Sequence, residues 1–145
     1  MRQIYRISHD DTKMYGDSWS ALRRPYYNWM DIVLVDFGQD YSNCVIGDYR
    51  PAVVISNTEY NRHSPVMQVV PLTKQLKAID MDYHVFLDRN DCEGLEESGM
   101  CLLEQITTVD RRQVRRKIAS VKLDSMKLKI EIELMRHLGF YGEAD

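Results

Sequence analysis

Short apolar runs separated by polar and glycine-containing segments dominate the chain from residue 31 to residue 122. Alternating or β-branched runs of about four to eight residues, bounded by turn residues, are typical of strands. The pattern predicts strands at Asp31–Phe37, Pro51–Ser56, Val66–Leu72, Tyr83–Leu87, Met100–Val109 and Lys117–Val121. Because proline lacks a ladder donor, Pro71 indicates that the third strand ends, bulges or lies at a sheet edge there.

Two connecting segments carry recognisable local signals. Residues 57–65, "NTEYNRHSP", form a polar stretch between two apolar runs, which predicts a turn in a hairpin-like unit. Asp110 can cap a short helical turn, and Gln113 stands three residues later in capping-box spacing. A strand resumes after this turn.

The segment from residue 124 to residue 139 alternates like a strand, but its composition favours a helix. Asp124 can cap its start, and Gly139 stands where a helix stop belongs. One apolar helical face can pack on the sheet of this chain, and the other can meet a second subunit or be buried in the same domain. The two predicted faces are Met126, Ile130, Leu134 and Leu138, and Leu128, Ile132 and Met135.

Strands first and one helix last predict a mostly β domain, a small and strongly bent antiparallel sheet with a C-terminal helix. The length of 145 residues, with 44% hydrophobic and 28% charged residues, fits a single domain. Residues 1–28 show no sustained period, so we interpret them as an N-terminal arm on a domain spanning residues 29–145. Apolar runs stay well short of the roughly 18 residues that span a bilayer, and the N-terminus has no signal-peptide core, so no membrane association and a cytoplasmic location are expected.

Charge and cysteine usage narrow the function classes. Cys44, Cys92 and Cys101 include no closely spaced pair, which argues against a disulfide framework or a zinc site. The net charge of −3 is no signature of nucleic-acid binding. Residues 110–122 nevertheless carry six basic residues and one acidic residue. This basic segment is either a solvated face or a contact surface for RNA phosphates or an acidic protein.

Motifs for familiar chemistry are scarce. His63 and His84 could form an acid–base pair for attack by an RNA 2′-hydroxyl, although the sequence does not show that they meet. No Walker loop, GxGxxG, HExxH or GxSxG motif occurs. The residues alone therefore predict a soluble, mostly β domain with a basic segment and a terminal helix.

Four features between residues 31 and 139 carry a family resemblance. An arginine-proline pair opens a β-branched strand, "NRHSP" follows in the turn, "PLTKQ" ends the next strand, and "LLEQITTVD" comes later. In order and approximate spacing they resemble the MazF/PemK-like toxins of bacterial type II toxin–antitoxin systems. The resemblance implies a homodimeric SH3-like barrel that cuts single-stranded RNA at short sequences, needs no metal or other cofactor, and is neutralised by an antitoxin.

The same resemblance implies that Arg50 and Thr73 are the catalytic pair. Attack by the 2′-hydroxyl passes through a dianionic, five-coordinate phosphorus, which donors aimed at its non-bridging oxygens stabilise. A guanidinium with a pKa above about 12 is a poor general base. Our hypothesis is that Arg50 clamps the scissile phosphate and can protonate the leaving 5′-oxygen, while Thr73 orients the same phosphate. The competing interpretation is that both residues only mark strand ends.

Four further polar side chains are predicted to contact the RNA: Gln105, Asn57, Gln75 and Asp48. Amides offer a donor and an acceptor to unstacked bases, although Asn57 could instead fix the turn. Relatives often carry a Glu-Gln pair shortly before the arginine. Here Val45 and Ile46 stand at those positions, and Asp48 is the nearest acid.

Two alternatives belong to other function classes. A CcdB-like toxin on a related fold would bind DNA gyrase without cutting RNA, and the altered loop before Arg50 is compatible with this. A third possibility is a barrel that binds nucleic acid without cleaving it. The arginine-proline and "PLTKQ" motifs favour the nuclease.

Overall fold

The structure, a computed structural model, describes residues 18–38, 48–74 and 83–142. Its helices are α1 Ser18–Leu22, α2 Thr58–His63 and α3 Asp124–His137. Its strands are β1 Asp31–Asp36, β2 Tyr49–Val54, β3 Val66–Thr73, β4 His84–Leu87, β5 Cys92–Glu93, β6 Gly99–Leu102, β7 Thr107–Asp110 and β8 Val114–Val121. Short 3-10 helices lie at Arg89–Asp91, Leu103–Gln105 and Arg111–Gln113.

The strands form one antiparallel sheet in the order β4-β6-β3-β2-β1-β8-β5, with β7 also paired to β3. On one edge β3 pairs with β2, and on the other it pairs first with β7 and then with β6. Register shifts between β1 and β8 add local bends. The predicted fold class, a bent antiparallel sheet with a C-terminal helix, is confirmed.

Pro71 lies within β3, which continues through it to Thr73. Pro71 is buried opposite Ala52 of β2. On the other edge, the pairing with β7 ends at Val69 and the pairing with β6 begins at Leu72. The proline therefore stands where β3 changes partner, and its missing N–H removes no ladder bond on that edge.

One sequence-based expectation about connections was wrong. The apolar run Met100–Val109 is not one strand, because β6 pairs with the end of β3 and β7 with its start, so the chain must step along β3 between them. The 3-10 helix Leu103–Gln105 makes that step. Residues 57–65 turn the chain between the paired antiparallel strands β2 and β3, as predicted, and this turn contains α2. The capping box between Asp110 and Gln113 is confirmed.

The sheet is buried on both faces, because successive residues of a strand point to opposite faces and β1 and β2 are apolar and buried at consecutive positions. Ile32 and Val53 belong to the cluster beneath α3, which contributes the fully buried Ile130. Val33 and Val54 point to the opposite cluster, against which Tyr27 and Phe37 pack. Two cores thus fix the positions of β1, β2 and β3.

Helix α3 uses one of its two predicted apolar faces for this core. Its N-cap is Leu123, without a side-chain cap, so the predicted capping by Asp124 is wrong; Asp124 is instead the first helical residue, where a negative charge is favourable. Gly139 follows the helix with a φ of 80°, as a helix stop requires. Leu128, Ile132 and Met135 on the second face are exposed.

No helix in the described ranges is long and apolar enough to cross a membrane.

Candidate active site

Arg50 and Thr73 lie at neighbouring ends of adjacent strands. Arg50 is the second residue of β2, Thr73 is the last of β3, and both are half-buried. The two strands are antiparallel, with Ala52 opposite Pro71. The pairing between the strands ends there, and Arg50 and Thr73 both lie two residues beyond this last pair, at the same end of the sheet. Pro51, next to Arg50, lines one pocket together with Thr73, so the two catalytic candidates border the same space.

A tight backbone turn sets the start of β2. Asp48 has a φ of 64°, an uncommon conformation for a residue with a side chain. Its carbonyl accepts from the Phe37 N–H at 3.0 Å, and its own N–H donates to the Gly38 carbonyl. Val35 of β1 pairs with Arg50. The end of β1 therefore fixes the backbone that carries Arg50, and Asp48 lies at the same end of the sheet.

The other side of the site is a loop of residues 94–98 between β5 and β6. A Cβ on Gly99 would lie 3.2 Å from the Thr73 carbonyl oxygen, so the C-terminal end of the loop is in close contact with the end of β3. Gly94 has a φ of 91°, and a Cβ there would lie 3.0 Å from the Ile118 carbonyl oxygen on β8. Only glycine fits such an approach at this φ without strain. Both loop ends are thus packed tightly on the sheet.

A pocket of about 280 Å³ opens between this loop, Thr73 and β8. Pro51 and Thr73 line it together with apolar residues, two cations and two carboxylates. Lys74 pairs with Glu97 across the rim, and Arg116 enters from β8. The sequence analysis missed this rim; the glycines that bracket "LEES" are the signal that could have marked it.

The other predicted RNA contacts are not all gathered at this site. Asn57 lies at the opposite end of β2, where its Oδ1 accepts from the backbone of Glu59 and Tyr60 and caps α2. Gln105 is half-buried at the end of the 3-10 helix beside β3. Gln75 lies outside the described residues. Of the three candidates within the described residues, Asp48 is the one that lies at the end of the sheet that holds Arg50.

The two histidines do not form an acid–base pair. His63 lies exposed on α2, 3.4 Å from Glu59. His84 lies on β4 with a side chain only 4% exposed, and its Nε2 is 2.8 Å from Glu104 Oε1. Each imidazole is next to its own carboxylate, and the two histidine–carboxylate pairs lie in different parts of the fold. The proposed acid–base pair of histidines therefore has no structural support.

The basic segment at residues 110–122 is not one basic surface. Arg111 is buried, and Arg112 pairs with Asp110, whose pKa is lowered mainly by that hydrogen bond. Lys117 pairs with Asp31. The charges are divided among the interior, local ion pairs and both faces of β8, because strand residues alternate in direction.

The two described cysteines are free thiols, of which Cys101 is buried and Cys92 is half-buried. Desolvation with nearby carboxylates raises the pKa of Cys92 to about 11. Burial raises the pKa of Cys101 further.

Within the described ranges, no cluster of three histidine, cysteine, aspartate or glutamate residues could hold a metal ion. Cys44 lies outside them.

Comparison of the sequence with known protein families identifies one family that matches this chain. The family model of the PemK-like, MazF-like toxins of type II toxin–antitoxin systems matches residues 29–137. The chain belongs to this toxin family. The resemblance first seen in the motifs around Arg50 and Thr73 is thereby confirmed.

Individual relatives agree with the family match. Endoribonuclease EndoA of Bacillus subtilis (strain 168) is 35% identical over 85 residues, which cover 59% of this chain and 72% of EndoA. MazF (Form-I) from Deinococcus radiodurans has a TM-score of 0.66 at 23% identity, over 79% of this chain and 98% of that one. A mycobacterial endoribonuclease in complex with its cognate antitoxin has a TM-score of 0.63 at 19% identity, over 78% and 95%. At these identities the two structures support the fold.

Proposed function

We propose that this MazF/PemK-family toxin is a sequence-selective endoribonuclease that cleaves single-stranded RNA without a metal ion. The observation that carries the proposal is the position of Arg50 and Thr73 at neighbouring ends of β2 and β3. The related EndoA is named an endoribonuclease. The relatives named above are endoribonucleases or MazF proteins, which does not favour the gyrase-binding alternative.

In this mechanism the substrate supplies its own nucleophile, the 2′-hydroxyl next to the scissile phosphate. As it attacks phosphorus, negative charge grows on the two non-bridging oxygens. The planar fork of Arg50 donates to these oxygens, and the Thr73 hydroxyl holds the phosphate in line. The 2′-hydroxyl loses its proton to solvent water as the new bond to phosphorus forms. The bond to the 5′-oxygen breaks as that oxygen takes a proton from the guanidinium of Arg50, which is then reprotonated from water. The products are a 2′,3′-cyclic phosphate and a 5′-hydroxyl.

The first test is incubation of the purified chain with a long single-stranded RNA in EDTA, followed by mapping of the new ends. We expect a small set of discrete cuts that share a short sequence, and we expect them to vanish with Arg50→Ala. Cutting by the Arg50→Ala variant at the same sites would point to a contaminating nuclease. Intact RNA at high concentrations of the wild-type chain would contradict the proposal.

The partners belong to the same proposal. By analogy with the mycobacterial complex, a cognate antitoxin protein neutralises the toxin. The chain forms a homodimer through the exposed apolar face of α3, where Leu128, Ile132 and Met135 are between 37% and 54% exposed. Apolar side chains at this spacing on one helix are favourable at an interface because their burial is stabilising.

Replacing Ile132 tests the dimer. Ile132→Glu should shift the sedimentation coefficient from dimer to monomer at micromolar concentrations, because a charge would be buried in the apolar interface. Lys129→Glu on the same helix is the matched control and should remain dimeric. A wild-type chain that sediments as a monomer, or an Ile132→Glu variant that stays dimeric, would place the interface elsewhere or exclude it.

A further inference from the structure

The pocket beside Thr73 has a rim that is fixed in place. Besides the close glycine contacts at residues 94 and 99, the Ser98 hydroxyl accepts from the Arg89 N–H at 2.9 Å. The Arg89 guanidinium also reaches the Glu96 carbonyl at 3.4 Å. The loop of residues 94–98 is therefore tied to the sheet at both ends and along its length. A preformed rim of this kind suits recognition of a ligand.

The pocket is lined by apolar side chains and by basic and acidic side chains from different segments of the chain. Leu72 is 4% exposed, and Leu95 and Ile118 are half-buried beside it. Lys74 is already paired with Glu97. Arg116 is different, because its guanidinium forms no ion pair or side-chain hydrogen bond within the described ranges. It is the pocket cation whose donors are available to a ligand.

The size and chemistry of the pocket match one flat, partly apolar ring system. Its volume of about 280 Å³ is close to the lower end of the range of small-ligand pockets, about 300–1,000 Å³. The pocket therefore suits a single small group and is too small for a folded oligonucleotide. Unstacked RNA bases are bound by apolar contacts to their faces and by hydrogen bonds to their edges. Thr73 lines the pocket and belongs to the proposed catalytic pair, so a bound base would lie next to the scissile phosphate.

We propose that this pocket binds one unstacked guanine of the RNA, with Arg116 as the residue that selects it. The guanidinium fork donates to O6 and N7 of guanine, the pairing that arginine most often makes with this base. The Glu96 carboxylate, on the loop, accepts from N1–H and the N2 amino group. Adenine keeps the N7 acceptor but presents an amino donor in place of O6 and an acceptor at N1, so the bidentate arginine contact falls to a single hydrogen bond and the carboxylate contact is lost. The inference rests on the proposed RNA cleavage, since it makes the pocket a subsite for that substrate.

The test measures binding separately from cleavage. Single-stranded 2′-O-methyl oligonucleotides, which lack the attacking hydroxyl, are varied one base at a time and bound to the full chain, with fluorescence anisotropy as the readout. At one position wild type should prefer guanine over adenine by about tenfold or more, as a bidentate arginine contact provides. In Arg116→Ala the preference should fall below about twofold, and Glu96→Gln should reduce it in part. Arg115→Ala, which removes a neighbouring charge that is hydrogen-bonded to Tyr49, should keep it.

Three results would overturn the assignment: no guanine preference in wild type, an unchanged preference in Arg116→Ala, or an equal loss in Arg115→Ala. Mapping of cut sites separates this inference from the proposed function. Cleavage with the same base pattern in wild type and Arg116→Ala would contradict the guanine subsite alone. A guanine preference in binding without any RNA cleavage would contradict the proposed endoribonuclease and support the subsite.

Discussion

Arg50→Lys should slow single-turnover RNA cleavage by about 10²- to 10³-fold, although it keeps the positive charge. A lysine ammonium is a point charge on a flexible stem, whereas the guanidinium is a planar fork that can donate to two phosphate oxygens at once. The start of β2 is held by β1 and by the turn at Asp48, so the backbone is already in place and the loss should come from the lost fork.

The rate is measured with enzyme in excess over a short RNA that contains one mapped cleavage site. Arg112→Lys is the matched control, because Arg112 is paired with Asp110, which lies opposite Val66 at the start of β3, whereas Thr73 is at the other end of that strand. Its rate should stay within a few-fold of wild type. A rate for Arg50→Lys close to that of wild type would contradict the forked clamp and would leave Arg50 as a simple charge.

Arg111→Met should destabilise the fold by about 2–4 kcal/mol, because it leaves buried backbone carbonyls without a donor. Arg111 is 4% exposed and donates to the carbonyls of Arg24 at 3.0 Å and Arg62 at 2.9 Å, and also to those of Leu22 and Asn61. Burial lowers the pKa of this guanidinium, which shows the cost of its position. The four carbonyls come from the end of α1 and the residues after it, and from α2, so one side chain ties both to β7 and β8.

Urea unfolding of the full chain measures this effect. Arg112→Met, at the adjacent exposed position, should cost less than about 1 kcal/mol, because the ion pair of Arg112 with Asp110 lies at the surface. Equal losses in the two variants would mean that the buried hydrogen bonds of Arg111 contribute little. If residues 18–24 detach in Arg111→Met, proteolysis in that segment should accelerate while the sheet remains protected.

Arg111 also shows where sequence reasoning reached its limit. It was counted in a basic segment because its neighbours are basic, and nothing local distinguishes a buried arginine from an exposed one. Its partners lie about 50 and 90 positions away in the chain. These contacts also join residues 18–24 to the sheet, while the division into an arm at 1–28 and a domain at 29–145 stays a prediction.

The fold was predictable to the extent that burial sets local pattern. The nearly continuous apolar runs of β1, β2 and β3 reflect a sheet buried on both faces, and the composition of α3 identified it as a helix. The change of partner along β3 was not predictable, because it depends on how β6 and β7 share one edge. The apolar run that contains both therefore looked like one strand.

The candidate site divides in the same way. Arg50 and Thr73 stand at equal distances from the middle of an antiparallel pair, so the sequence between them already predicted their proximity. The pocket beside Thr73 could not be predicted, because its rim comes from residues 94–98 and its wall from β8. No short motif joins those segments. The roles of Gln105, Asn57, Gln75 and Asp48 in RNA binding stay predictions.

The central claim is that Arg50 and Thr73 act as one unit on one phosphate. It is tested most directly by single-turnover cleavage with Arg50→Ala, Thr73→Val and the double variant. The account predicts that each single change is strongly impaired and that the double variant is about as slow as the slower single one, since a pair that acts as a unit is non-additive. Wild-type rates in either single variant, or a double variant slowed by the full product of the two effects, would contradict it.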